Sequence, residues 1–408
     1  MKVINNIPQP SLTVNNFAVP VKLWTDNVEE SAMGQIENLA RYPFAFHHIA
    51  IMPDVHMGYG MPIGGVLATK DVVIPNAVGV DIGCGMCAVK TALQEISTED
   101  LKKIMSKIRE FVPVGFKHQE KEQDVTLMPL SQLEKDGWDG DFDAYPIIQE
   151  QYDNALTQIG TLGSGNHFIE IQKGSDGYIW IMIHSGSRNL GKQVADHYNK
   201  LAIELNSKWY SIVPKEWQLA FLPLDDEDGQ SYLREMNYCV EFAYANRKLM
   251  MERILGIFES VLGLGYFDTN NTIINIAHNY ATLEKHFGQN VLVHRKGATL
   301  ARQDTVGIIP GSQGSKSYIV QGLGNADSFN SCSHGAGRKM SRTRAQNELS
   351  LEDEIKLLDD QGIIHGIRNK NDLDEAAGAY KNIDEVMENQ KDLVKILVEL
   401  KPLAVIKG

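Results

Sequence analysis

Along the middle of this chain, apolar positions come in short blocks rather than in long helical stripes. Seven runs, "HHIAIMP" (47–53), "GGVLAT" (64–69), "VVIP" (72–75), "IWIMIHS" (179–185), "NVLVHRKG" (290–297), "VGIIPG" (306–311) and "SYIVQG" (317–322), are set off by Gly and Pro. That pattern predicts buried strands joined by tight turns. Helical periodicity covers 29–41, 98–111, 193–209, 231–262 and 382–400, with "STED" at 97–100 as an N-cap signal. Met236, Val240 and Tyr244 share one face of the 231–262 pattern, as do Ile254, Phe258 and Val261; such a face reads as core packing. No repeat, low-complexity tract or Pro/Ser-rich linker divides the chain. The expectation is a single α+β domain over 1–408, rich in sheet, with 193–263 as a helical insertion and 115–150 as an acidic, loop-rich excursion.

Composition narrows the class. The chain has 408 residues, 43% hydrophobic and 22% charged, ordinary values for a soluble globular protein able to bury a large core. The start, "MKVINNIPQP", lacks an apolar signal region, and no run of about 18 apolar residues occurs. With four cysteines, a disulfide framework is not expected. A cytoplasmic protein without membrane contact is predicted.

Charge changes the picture only when it is mapped. A net charge of −13 argues against a nucleic-acid partner, yet from Lys285 to Arg344 nine Lys/Arg face two acids, Asp304 and Asp327. The acidic excess lies elsewhere, in "DGWDGDFD" (136–143) and "DDED" (225–228). A polyanion responds to the local field, so RNA stays open as a partner. The bland alternative is a solvated basic face.

Candidate chemistry gathers where small residues flank reactive ones. "VGVDIGCGMC" (78–87) puts Asp81 and Cys84 three apart among glycines. Of twelve histidines, His167, His184, His278 and His334 stand among Gly, Ser and Asn at or near strand ends, where site residues concentrate. One thiol, one carboxylate and four imidazoles can form a metal centre. Thiolate and imidazole favour zinc, while a carboxylate and open positions admit manganese or iron, and a thiolate can bridge two ions. Cys84 and Cys87 have redox spacing, but Gly83 and Gly85 make a poor helix start, so Cys87 reads as a packed bystander. "GSQGSKS" (311–317) is not a Walker A loop, and "GSGNHF" (163–168) lacks the third glycine of the dinucleotide fingerprint. Either can form a phosphate-binding backbone nest or a plain turn.

Ten segments together resemble one family. They are "MPDVHMGYGMPIGGV" (52–66), "AVGVDIGCGM" (77–86), "GTLGSGNHFIEI" (160–171), "HSGSR" (184–188), "HNY" (278–280), "RKGA" (295–298), "IIPGSQGSKSYIV" (308–320), "SCSHGAGRKMSR" (331–342), "AYKNIDEV" (379–386) and "VIKG" (405–408). In order along nearly the whole chain, they are similar to the RNA-splicing ligase RtcB family.

The resemblance implies an RtcB-like fold around a di-metal site. It also implies a GTP- and manganese-dependent ligase joining RNA 2′,3′-cyclic phosphate or 3′-phosphate ends to 5′-hydroxyl ends, in tRNA splicing or RNA repair. Asp81, Cys84 and His167 would hold one Mn²⁺; Cys84, His184 and His278 the second, with Cys84 bridging. His334 would be the guanylylated nucleophile. Asn166, Glu170, His278, Asn279, Pro310, Gly311, Ser312, Ser317, His334, Gly335, Ala336, Gly337, Tyr380 and Lys407 would surround the guanine nucleotide. Glu170 suits the donor edge of guanine. If "GNHFIE" is a strand, Asn166 and Glu170 share one face and His167 the other.

Arg188, Lys296 and Arg338 are candidates for the RNA or pyrophosphate phosphates. Asn246 and Arg247 are either RNA contacts or an exposed helix face. A monomer is expected. Two rivals remain: a di-metal phosphodiesterase or phosphatase acting on RNA ends, and a non-catalytic RNA end-binding protein. Neither needs His334 or Lys407.

Overall fold

The computed structural model describes residues 1–4, 18–130, 144–263 and 273–408. Two sheets carry the mixed helix-and-sheet architecture. The first has six strands in the order Lys2–Ile4, Val21–Leu23, Ala45–His56, Ile63–Thr69, Gln289–Lys296 and Asn279–His286. The second has seven: Ile274–Ala277, Gly85–Lys90, Ile179–Ser185, Phe168–Gly174, Val394–Lys407, Ser317–Gly322 and Val306–Ile309. Every pairing in the second is antiparallel.

Period-2 alternation explains the layering. Ala50, Met52, Val66, Ala68, Val291 and Val293 of the first sheet meet Ile309, Tyr318 and Val320 of the second. The alternate residues Ile49, Ile51 and Leu67 turn to the other side and pack on Ala32, Ile36 and Leu39 of helix Glu30–Ala40. Behind the second sheet lies helix Thr98–Phe111, started by Ser97, whose side chain accepts the Asp100 N–H. Its Leu101, Ile104, Met105 and Ile108 form an i, i+3, i+4, i+7 stripe against Ile169, Ile171, Ile181 and Ile183. Each such side chain contributes about 1.5–3 kcal/mol by leaving water.

Residues 193–263 are largely helical and pack on both the neighbouring helix and the second sheet. Their helices are Arg188–Lys208 and Glu227–Leu262. The long helix packs Tyr232, Met236, Tyr238 and Phe242 with Leu190, Val194 and Tyr198 of its neighbour. Its later part puts Met250, Ile254 and Phe258 under the second sheet. In the 115–150 excursion, the helix Pro146–Gln158 and the short turn Val125–Leu127 are described; the acidic stretch 136–143 lies outside the described residues.

The helix expected over 382–400 is a correction. Only Ile383–Glu388 is helical, and Val394–Lys407 is a strand paired on both sides. Pro402, which has no N–H to give a ladder, stands where the register with Phe168–Gly174 shifts. "VVIP" also divides: Val72–Val73 is strand, and Pro75 opens helix Pro75–Val78 at a position where its missing N–H costs nothing.

Candidate active site

At one edge the two sheets share the chain. Strand Ile274–Ala277 passes through His278 directly into Asn279–His286 of the other sheet. Nearby, Gln289–Lys296 leads through Gly297 to Ala298–Leu300, which pairs with Ser331–Ser333 just before His334. A cavity of about 940 Å³ opens at this seam. Of the residues singled out above for metal, nucleotide or RNA, all line it except Asn246, Arg247 and Ser317; Ser317 lies just behind. The buried Ser317 hydroxyl accepts from Gly311 N–H (3.1 Å) and Gln172 Nε2 (3.2 Å), leaving its own proton to donate.

The metal candidates form two trios. One ligand atom each from Asp81, Cys84 and His167 lie within 4.8 Å of one another, and so do those of Cys84, His184 and His278. Cys84 belongs to both. Its Sγ lies 3.5 Å from His167 Nε2 and 3.3 Å from His184 Nε2. His184 Nε2 faces His278 Nε2 at 3.4 Å, and His167 Nε2 lies 3.1 Å from Asp81 Oδ2. The far nitrogens are tied down. His167 Nδ1 donates to the Leu162 carbonyl (2.9 Å) and His184 Nδ1 to the Asn166 carbonyl (3.0 Å). A carbonyl only accepts, so Nδ1 of each ring carries a proton and Nε2 faces the sulfur; on His184, kept neutral by burial, that nitrogen presents its lone pair.

The electrostatics fit a cation. Burial holds His184 and His278 well below the ordinary imidazole range, so both are neutral. Burial and the Asp81 carboxylate push the Cys84 thiol well above its usual value; a bound cation is what would displace its proton. Asp81 is held down at about 2, since the His167 hydrogen bond and nearby charge outweigh burial. Lone pairs converging at these distances repel one another unless a positive ion lies between them. The thiol, imidazole and carboxylate set therefore suits a transition ion. At Gly186, a Cβ would come within 2.3 Å of Asp81 Oδ1, so only glycine fits beside this cluster.

His334 stands next to the second trio, its ring 4.8 Å from that of His278. Its Nδ1 lies 2.6 Å from Asp54 Oδ2, and the same oxygen accepts the backbone N–H of His334 and Gly335. Asp54 is fully buried. Burial raises its carboxyl, but His334, His56 and Lys381 more than offset that and hold it below the usual range. An ionised carboxylate only accepts, so Nδ1 carries a proton, and in the neutral tautomer the lone pair falls on Nε2. Such an arrangement would suit a nucleophile oriented by a third group.

The wall beyond His334 carries Glu170, Lys407, Tyr380, Arg338 and Ser312. Burial raises Glu170 and lowers Lys407, each partly offset by the other. Arg338 donates to Glu375 (2.9 Å) and to the carbonyls of Met340 and Asp374. Arg188 donates to Thr161 Oγ1 and the Gly115 carbonyl, and Lys296 to the carbonyls of Tyr59 and Asn76. Burial brings Lys296 down to about 7.

Several expectations change. Asn166 lies in a turn, because the strand starts at Phe168, and Asn166, His167 and Glu170 all face the same cavity. Asn246 and Arg247 are neither RNA contacts nor exposed; both are fully buried. Asn246 holds the Gly160, Thr161 and Gly186 backbone, and Arg247 the Gly83 and Ser185 carbonyls. They brace the loops that carry the donors.

The basic run from 285 to 344 is not one exposed face. Arg295 is buried on Glu284, Arg338 and Arg342 share Glu375, and Lys316 meets Glu399. Cys84 and Cys87 are both buried and free, and burial pushes the Cys87 thiol up to about 12.

Asp54, Arg342 and Glu375 escaped the sequence reading. An acid inside the apolar run before "VHMGYG" was a usable signal for Asp54; Glu375 had none.

A family model described as tRNA-splicing ligase RtcB matches residues 35–408. The RNA-splicing ligase RtcB of Escherichia coli strain K12 is 39% identical over 419 residues, spanning 97% of this chain and 99% of its own length. The tRNA-splicing ligase RtcB of Methanococcus maripaludis is 34% identical, with 95% and 93% covered. The RNA-splicing ligase RtcB of Mycobacterium bovis is 32% identical, with 92% and 100% covered. Among the described residues, no helix is long and apolar enough to cross a membrane.

Proposed function

The chain belongs to the RtcB family, and on that premise we propose that it is an RNA ligase joining 2′,3′-cyclic phosphate or 3′-phosphate ends to 5′-hydroxyl ends through a guanylylated His334. The observation that carries this reading is the pairing of His334 Nδ1 with buried Asp54 beside a sulfur shared by two ligand trios. An end-binding protein has no use for so oriented an imidazole; a hydrolase would use it as a general base without ever carrying a nucleotide, and the labelling test below separates the two.

Asp81, Cys84 and His167 would hold one Mn²⁺ and Cys84, His184 and His278 the other. When bound, the ions would neutralise phosphate charge and lower the pKa of a water. His334 Nε2 attacks the α-phosphorus of GTP, forming the N–P bond as pyrophosphate leaves. Asp54 keeps the ring in the reactive tautomer and stabilises the positive charge that develops on it. Arg188, Lys296 and Arg338 line the cavity where phosphate oxygens would lie.

Glu170 accepts from guanine N1–H and N2–H; two arriving donors favour its carboxylate and oppose the effect of burial. The Ser317 proton suits guanine O6. Asn166, Asn279, Ser312, Tyr380, Lys407, the Pro310–Gly311 turn and the Gly335–Ala336–Gly337 backbone enclose the rest of the nucleotide.

A cyclic end is first opened by water to a 3′-phosphate. Guanylate then passes from His334 to that phosphate, giving RNA(3′)pp(5′)G, and the 5′-hydroxyl displaces GMP. The activation is needed because a phosphate monoester dianion is a poor electrophile, whereas GMP departs readily. The chain acts as a single catalytic unit, a cytoplasmic monomer in tRNA splicing or RNA repair. The test is incubation with GTP radiolabelled at the α-phosphate and Mn²⁺, followed by denaturing electrophoresis. Wild type should retain label and His334→Ala should not; an unlabelled wild type overturns the ligase reading.

A further inference from the structure

Four large apolar side chains stand in water at the mouth of the seam cavity: Phe116, Tyr59, Met57 and Val80. Phe116 is 92% exposed and Tyr59 68%. Isolated exposed apolar residues are ordinary, but several gathered on one rim mark a contact surface. Neither ring stacks on another described aromatic side chain.

The two aromatic residues are held on rigid turns. At the Phe116 turn, Gly115 N–H donates to the Gly163 carbonyl (2.7 Å) and Lys117 N–H to that of Val114 (3.3 Å). Arg188 donates to the Gly115 carbonyl (3.2 Å). That turn is therefore fastened to the wall bearing His167. Around Tyr59, Gly58 N–H donates to Gln35 Oε1 (3.1 Å), Gly60 N–H to Gln218 Oε1 (3.2 Å), and Lys296 Nζ to the Tyr59 carbonyl (2.5 Å). This loop follows strand Ala45–His56, which carries Asp54 behind His334. One ring thus belongs to the thiol–imidazole wall and the other to the His334 wall.

We propose that Phe116 and Tyr59 are stacking platforms for unpaired bases flanking the junction, one on each side of the cavity mouth. The inference rests on the RNA-ligase reading and deepens it by naming what grips the substrate beyond its phosphates. The occupant is single-stranded RNA. Arg188, Lys192 and Lys296 line the same cavity and suit a polyanion, and the rim acid Glu29 directs Oε1 to the Met57 N–H. A paired duplex hides its base faces, whereas unpaired terminal nucleotides expose them to aromatic rings. Stacking tolerates any base, so this rim confers grip without sequence choice.

The test is fluorescence anisotropy with a labelled single-stranded RNA bearing a 3′-phosphate. Phe116→Ala and Phe116→Leu should each weaken binding about 5- to 100-fold, the range for losing one stacked base. Phe116→Trp should retain it, and the salt dependence of binding should not change, since no phosphate contact is removed. Abasic nucleotides near the RNA end should erase the difference between wild type and Phe116→Ala. Tyr59→Ala should behave alike on its own side. Unchanged affinity in both alanine variants overturns the proposal and assigns the rim to another partner. GTP labelling of His334 in the same preparations separates the two ideas. Label absent with stacking present sinks the ligase reading alone; label present with RNA affinity unaltered sinks the stacking alone.

Discussion

Strand Ala45–His56 reaches two histidine clusters, one near each end, and they are built on opposite principles. At its start, His47 and His48 share a hydrogen between their Nδ1 atoms (2.7 Å), and His48 Nε2 donates to the Asp327 carbonyl (2.7 Å). Their rings stack on Phe287 and Phe329 at 3.9 and 4.3 Å. The described polar contacts close within the group. At its end, Asp54 holds His334 beside His278, while the imidazoles of His167 and His184 spend Nδ1 on carbonyls and aim Nε2 at one sulfur. The mere gathering of histidines does not distinguish the two. What does is whether the lone pairs close on each other or converge on a common point.

That contrast can be broken from either side. The largest effect is expected at Asp54. Asp54→Asn keeps the shape but loses the charge and the tautomer control, so the rate of His334 labelling by GTP should fall about 10²–10⁴-fold. Metal content should stay at the wild-type value. Quenched-flow labelling measures the rate, and an unaltered rate would remove Asp54 from the account.

A smaller effect is expected at the other end. His48→Ala should lower unfolding free energy by about 1–3 kcal/mol through lost packing and a lost hydrogen bond, with labelling unaffected. Burial, helped by Lys22, holds His48 at about 4, below its unfolded value of 6.5. The unfolded chain therefore takes up this proton first. The stability from keeping His48 neutral is complete above about pH 6.5 and is lost as pH falls toward about 4. Thermal melts across that window should show a shallower decline in His48→Ala than in wild type.

Much of this was legible along the chain, for physical reasons that can be named. Helix Thr98–Phe111 shows both its cap and its stripe locally, and the metal candidates betray themselves by the glycines that let them approach. The helix expected over 382–400 fails from Val394 onward, where the apolar spacing of strand Val394–Lys407 also satisfies a helix. Only its two strand neighbours, Ser317–Gly322 and Phe168–Gly174, decide the matter, and they are far away in sequence. Glu375 escaped for the same reason, because it neutralises arginines from another segment, whereas Glu284 stands one residue before the basic run and meets Arg295 from the neighbouring hairpin strand. Local charge counting therefore overstated the basic face. Arg247 looked exposed because its helix is amphipathic on average, yet at this point it inserts among the site loops.

The account depends most on the shared sulfur. Native mass spectrometry and elemental analysis of protein loaded with Mn²⁺ test it directly. Wild type should carry two ions per chain and Cys84→Ala none, while His48→Ala keeps both. One ion surviving in Cys84→Ala would show that the thiol serves a single site, and two would show that it serves neither.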